Sequence, residues 1–279
     1  MHANELSKEL SHWRQPVRIY IFRASICQTP VPASKTHMSQ PTTDPADLAG
    51  AETLEIMQAA PRYNAWQFRR IAPYLGRRIC EVGAGIGNMS ALIHAGSPDL
   101  LVLGDIDPYY REVLRGRFVS HPEVVVEELT LPEPGAKTRF ARHSLDTVIA
   151  LNVIEHIAED IEAMRSMGAM LQSGGRAVIL VPALQALYGS LDRELGHVRR
   201  YTRRTLADRM RQAGFRVERT FYFNLVGTLG WWVNARVRRT PRIPISQLRY
   251  FDAMVPLLSL EDHLPLPLGQ SVIAIGVAP

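Results

Sequence analysis

The residues with the clearest chemical signature form a glycine-rich turn, Glu81-Val82-Gly83-Ala84-Gly85-Ile86-Gly87-Asn88. An apolar run, Ile79 to Val82, enters this turn, and a helical pattern leaves it near Asn88. A strand, turn and helix in that order aim free backbone N–H groups at a ligand lying beyond the strand's carboxyl end. The dinucleotide pattern G-x-G-x-x-G needs a glycine where Asn88 stands, which counts against a nicotinamide-dependent oxidoreductase. A second position is Asp105, after the run Leu100 to Leu103. It falls about 20 residues beyond the turn, where α/β nucleotide sites place a carboxylate that accepts from ribose hydroxyls. A third group, Asn152, Val153, Glu155 and His156, follows another apolar run that ends at Leu151. A fourth is His197, in Gly196-His197-Val198-Arg199-Arg200-Tyr201. An imidazole that titrates near neutrality suits a general base. A histidine that pins a loop through backbone hydrogen bonds fits the same position nearly as well.

These positions need a scaffold that brings strand ends together. Apolar runs at Ile79–Val82, Leu100–Leu103, Val124–Val126, Asp146–Leu151 and Ala177–Val181 alternate with helical patterns, which argues for a parallel sheet in an α/β fold. Val217–Phe223 and Ser271–Val277 read as closing antiparallel strands. Asp107 suits the cap of the helix after the second strand, and Thr202 the cap of a helix that ends at Gly214. The pattern from Asp47 to Leu75 is helical, with Pro61 in a first turn. Tyr63 and Trp66 on it could face a ligand, and for Trp66 packing is the better reading.

The bulk composition narrows the classes. The chain has 279 residues, a formal net charge of +5 and two cysteines, Cys27 and Cys80. Two distant cysteines, one inside a core strand, argue against a disulfide framework and against a zinc site. No apolar run approaches the ~18 residues of a spanning helix, and a cytoplasmic location is expected. Residues 1–45 are rich in proline, serine and threonine and read as a flexible segment, with Met38 an alternative start. Residues 46–279 then form one domain, with insertions around 183–200 and 225–268.

The spacing Glu81-x-Gly83-x-Gly85-x-Gly87 resembles motif I of the class I S-adenosylmethionine (SAM) methyltransferases. The stretch from Leu145 to Ala183 resembles the same family, and the likeness runs from about residue 63 to residue 226. It implies a Rossmann-like, seven-stranded, mostly parallel sheet with one antiparallel strand, flanking helices, an N-terminal helical lid, and SAM as cofactor. By that resemblance Glu81 lies near the donor's ammonium. Gly83, Ala84, Gly85, Gly87 and Asn88 surround its amino-acid end, and Asp105 and Ile106 its ribose. Glu128 meets the adenine amino group, though two glutamates on a solvated edge is an equal reading of Glu127 and Glu128. Asn152 and Val153 line the cofactor. His156 and His197 are the candidate catalytic residues.

Glu155-His156 resembles the E-H pair of two metal-using branches of the superfamily, the ubiquinone-pathway O-methyltransferases and the small-RNA 2′-O-methyltransferases; the latter carry E-x-x-E-H, and here Asn152 replaces its first glutamate. A neutral amide for a carboxylate weakens a Mg²⁺ site, so no metal is expected; Glu155, His156 and His197 would be its ligands. The implied activity is methyl transfer to a small-molecule, glycan or lipid-like acceptor, with oxygen as the expected nucleophile. An RNA or tRNA methyltransferase and a non-catalytic SAM-binding protein are the alternatives. Arg199, Arg200, Arg203, Arg204, Arg209 and Arg211 would clamp an anion or form a solvated helix face. The mild charge and the lack of an RNA-binding module argue against nucleic acid. Trp231 and Trp232, followed by Arg236, Arg238, Arg239 and Arg242, suit peripheral membrane contact through 225–242, or a cap over the sheet.

Overall fold

A computed structural model describes residues 60–233 and 245–279. The flexible segment read over 1–45, the alternative start at Met38, the helical pattern before Ala60 and the arginines at 236, 238, 239 and 242 lie outside the described residues. In chain order the elements are α1 (Pro61–Ile71), β1 (Arg78–Val82), α2 (Asn88–His94), β2 (Leu100–Asp105), α3 (Pro108–Arg117) and β3 (Val124–Glu128). Then come α4 (Ala136–Phe140), β4 (Leu145–Leu151), α5 (Asp160–Met170), β5 (Leu171–Pro182), α6 (Ser190–Glu194) and α7 (Arg203–Gln212). The chain closes with β6 (Arg216–Phe223), α8 (Leu225–Trp232), α9 (Ile245–Leu258) and β7 (Ser271–Val277).

The seven strands make one sheet in the order β3-β2-β1-β4-β5-β7-β6. Only β7 runs against its neighbours, pairing antiparallel with both β5 and β6. Successive side chains of a strand point to opposite faces, and the two faces bury two separate cores. Cys80, Val102, Val148, Ile179 and Ala274 meet Phe140, Met164 and Met210 on one side. Ile79, Leu101, Leu103, Ile149 and Ile273 meet Trp66, Met89, Leu114 and Val255 on the other. Each fully buried apolar side chain contributes roughly 1.5–3 kcal/mol, a gain large enough to accommodate one buried acid, Glu81, within β1. Burial pushes the Cys80 thiol well above its ordinary range, so it stays protonated and inert.

The local signals read from the sequence act as expected. The Asp107 carboxylate accepts from Tyr109 N at 2.8 Å, and Thr202 Oγ1 accepts from Thr205 N at 3.1 Å. β5 is longer than the apolar run, because it starts before the Ser173-Gly174-Gly175 turn and pairs Leu171 with Leu145. Among the described residues of 225–268 are the helices α8 and α9, and α9 packs against α1. Tyr63 N donates to Asp252 at 2.8 Å, tying the two together. Among the described residues no helix is long and apolar enough to cross a membrane.

Candidate functional site

The carboxyl ends of β1, β2 and β4 open onto a cavity of about 770 Å³. That volume lies within the range of small-molecule and cofactor sites. Gly83 and Gly85 line it, and at Gly83 the backbone leaves no room for a side chain. At Gly83 φ is +69°, and a Cβ would stand 2.6 Å from Val153 Cγ2. Gly85 N donates to Asp105 Oδ2 at 2.8 Å, and Asp107 N to Asp105 Oδ1 at 2.9 Å. Burial pushes the Asp105 carboxyl up, opposed by these two N–H donors. The result is a fixed, largely buried carboxylate that faces the cavity beside the exposed Ile106.

Asn152 and Val153 line the next stretch of wall. Asn152 adopts the left-handed conformation (φ 55°), which asparagine tolerates better than most residues.

Five residues expected at the donor stand behind the wall rather than in it. Glu81 is turned into the core and accepts from Ser90 Oγ at 2.5 Å; burial pushes it up to about 8, so it stays uncharged at neutral pH. Ala84, Gly87 and Asn88 shape the turn and start α2, outside the set of lining residues. Gly87 is required by packing, since a Cβ there would meet Leu114 Cδ2 at 2.9 Å. Glu128 points to solvent and pairs with Arg111 at 3.1 Å. Leu129, Thr130 and Leu131 form the cavity wall at that edge.

Opposite the glycine turn, the short helical turn Ile154–His156 after β4 meets the 183–200 insertion. Val198 N donates to Glu155 O at 2.8 Å, which brings His197 against Glu155 and His156. The His156 and His197 rings stand 4.9 Å apart, edge to face. His197 Nε2 lies 3.9 Å from Glu155 Oε1. His197 Nδ1 lies 2.9 Å from Asp192 Oδ1, and the same oxygen accepts from Arg200 Nε at 2.7 Å. Asp192 Oδ2 accepts from Gly189 N at 2.9 Å. Burial acts to raise the Asp192 carboxyl, but the bonds from His197 and Arg200 outweigh it and hold Asp192 below its ordinary value. An ionised Asp192 accepts from His197 Nδ1–H and leaves Nε2 outside that bond. His156 is exposed on its cavity side, yet the protein packed around the rest of the ring and the neighbouring His197 push it down to about 4, so it is neutral at physiological pH.

Glu155, His156 and His197 each offer a ligand atom within 4.8 Å of the others, the set near this cavity that could hold a divalent cation. Glu155 is fully buried, its carboxyl oxygens have no hydrogen-bond partner, and burial pushes it up to about 8. The native state therefore keeps a proton on Glu155 that an unfolded chain loses near 4.5. Between these values the folded form binds more protons, so this group makes stability fall as pH rises. Glu155→Gln is expected to flatten the decline between pH 5 and 8 by up to about 1.4 kcal/mol per pH unit. Denaturant midpoints across that range, with a chelator present, provide the check. An unchanged slope would place the Glu155 proton elsewhere.

The arginine cluster is mostly consumed within the chain. Arg199 and Arg209 pair with Asp160 at 2.7 and 2.6 Å, Arg200 with Asp192, and Arg211 with Asp208 at 2.8 Å. Arg203 lies over the Tyr222 ring. Of the six, Arg200 alone lines the cavity. The sequence reading missed Asp192 as a partner of His197, and it missed Gln247, Gln270 and Phe251 in the wall. Tyr63 lines the cavity, whereas Trp66 is core, with Nε1 donating to Asp262 at 3.0 Å.

A seven-stranded sheet of this order, with a glycine turn and a fixed acid at its carboxyl edge, places the chain in the Rossmann-like α/β class. The chain matches the model of the methyltransferase domain over residues 55–220 and belongs to that family, among the class I SAM-dependent methyltransferases. SAM is the methyl donor of the class.

Solved structures share the fold. The Haloferax volcanii methyltransferase crystallised with the Trm112 activator is 15% identical, with a TM-score of 0.55 over 85% of this chain and 96% of that one. A SAM-dependent methyltransferase of Thermotoga maritima is 14% identical, with a TM-score of 0.53 over 82% and 95%. Geranyl diphosphate C-methyltransferase of Streptomyces coelicolor, solved with Mg²⁺, geranyl diphosphate and S-adenosylhomocysteine (SAH), is 12% identical, with a TM-score of 0.53 over 76% and 77%. No curated protein sequence matches the chain significantly.

Proposed function

We propose that this protein is a SAM-dependent O-methyltransferase acting on a small-molecule or lipid-like acceptor, with His197 as its general base. The observation that carries this reading is the Asp192–His197 pair set in the same cavity wall as Gly83, Gly85 and Asp105. The donor fits the residues present: a glycine backbone that a side chain would block at Gly83, and an oriented Asp105 carboxylate to accept from ribose hydroxyls. Asn152, Val153 and His156 line the donor side, and Ile106 flanks the ribose position. Bound there, SAM supplies an electrophilic methyl group.

The chain's own part is to orient the acceptor, exclude water and take a proton. His197 Nε2 accepts the acceptor's hydroxyl proton as the oxygen becomes nucleophilic. Asp192 stabilises the imidazolium that results. Arg200, held on the same Asp192 oxygen, fixes that carboxylate in place.

Apolar lining from Leu195, Leu248, Phe251 and Trp231 supports an acceptor with an apolar body. Exposed Val226, Leu229 and Trp232 on α8 support a lipid-like acceptor met at a membrane surface. Internal pairing of the arginine cluster weighs against a nucleic-acid clamp. The test is incubation of purified protein with methyl-labelled SAM and host extract, followed by fractionation. Label is expected in an alkali-stable ether in the small-molecule or lipid fraction. Label in RNA, or on nitrogen or carbon, would overturn the reading.

A further inference from the structure

Four buried side-chain atoms without a hydrogen-bond partner belong to residues of this one cavity wall: Arg200 Nη2, Trp231 Nε1, Gln247 Oε1 and Gln270 Oε1. Leaving a buried polar atom unmatched costs about 1–3 kcal/mol, so such a concentration marks a place built for a polar ligand. The Arg200 side chain is fully buried. Its Nε is held by Asp192 at 2.7 Å and its Nη1 by Ala183 O at 3.0 Å. The guanidinium carbon lies 4.6 Å from the centre of the Trp231 ring. Two edges of the guanidinium are therefore occupied and one face is stacked, leaving Nη2 as the free donor. Trp231 Nε1 is a second donor close by. Neither group can accept a hydrogen bond, so their ligand must bring oxygen lone pairs.

We propose that the acceptor is an amphipathic carboxylic acid whose carboxylate is seated by Arg200 Nη2 and Trp231 Nε1 and whose apolar body lies against Leu195, Leu248 and Phe251. The inference rests on reading this cavity as the acceptor and donor pocket. A guanidinium that already shares its charge with Asp192 suits a monoanion better than a phosphate dianion, and two N–H donors match the two oxygens of a carboxylate. The Gln247 and Gln270 carbonyl oxygens then face a donor on the acceptor, such as a hydroxyl.

The test is calorimetry on SAH-loaded protein with two matched probe pairs: octanoate against 1-octanol, and 4-hydroxybenzoate against 4-hydroxybenzyl alcohol. In the tighter-binding pair the acid is expected to bind at least about tenfold more tightly than its alcohol, the scale of one charge-assisted hydrogen bond. Arg200→Met should abolish that preference. Trp231→Phe keeps the ring under the guanidinium and removes only the N–H. It should cut the preference several-fold while the melting temperature and SAH affinity stay unchanged, which keeps the test decisive if the Arg200 variant fails to fold. Alcohols that bind as well as acids, acids that do not bind at millimolar concentration, or a preference that survives Trp231→Phe unchanged would overturn the proposal. SAH affinity is measured first: protein that takes no SAH defeats the donor reading, whereas protein that takes SAH without preferring acids defeats only the present inference.

Discussion

Replacing His197 with alanine is expected to lower turnover of the acceptor by about 10²–10⁴-fold, the usual contribution of a positioned general base, with SAH affinity unchanged. On the proposed reading His197 serves the acceptor, whereas Gly83, Gly85 and Asp105, in the same cavity wall, serve the donor. The loss should therefore appear in kcat and spare cofactor binding. A pH profile separates a base from a structural pin. A pinning histidine would leave the shape of the wild-type profile intact in surviving variants. A catalytic one leaves a variant whose rate keeps rising with pH, because hydroxide and the acceptor's own ionisation take over. Asp192→Asn tests the same step from behind. It removes the charge that holds the Nδ1 proton and stabilises the imidazolium, and its single amide oxygen can keep only one of the bonds from Gly189 N and Arg200 Nε, so folding is checked by the melting temperature. A kcat loss approaching that of the alanine variant is expected. Full turnover by either variant with the true acceptor would remove His197 from the mechanism.

Much of the cavity wall at the ends of β1 and β2 was legible because its determinants are local. The glycine turn, the β1–α2 junction and Asp105 each follow from a strand end and a spacing of a few residues. Side-chain direction was not legible there. Glu127 and Glu128 are neighbours on β3 and so point to opposite faces; Glu127 goes to Arg142 and His143, and Glu128 to Arg111. Glu81 lies one strand face away from the cavity and finds Ser90. The rest of the wall was not legible for a different reason. Asp192 and His197 sit on an insertion with no hydrophobic period, and their approach to Glu155 depends on backbone pairing across more than 40 residues. α8 is apolar on most of its surface, so no amphipathic stripe announces which of its residues, Gly227, Gly230 or Trp231, turn toward the pocket.

Asp105→Ala is expected to weaken SAH binding by about 100-fold, the effect of losing roughly 3 kcal/mol of charge-assisted hydrogen bonding to a diol. Part of any loss has a second source, because the Asp105 carboxylate also holds Gly85 N and Asp107 N. Removing it loosens the glycine turn as well as the ribose contact. Asp105→Asn resolves the two: the amide oxygen can still take one of these N–H groups, so the turn is better kept, but the charge is gone. An intermediate loss of about tenfold is expected for it. The cycle is completed with a SAH analogue lacking the 2′ and 3′ hydroxyls. Wild-type protein should lose most of its affinity for that analogue, and Asp105→Ala should lose little more, because the group that read the hydroxyls is already absent. If instead the variant and the analogue losses simply add, Asp105 acts on the fold of the turn alone, and the ribose is read elsewhere along the edge formed by Ile106 and Leu129.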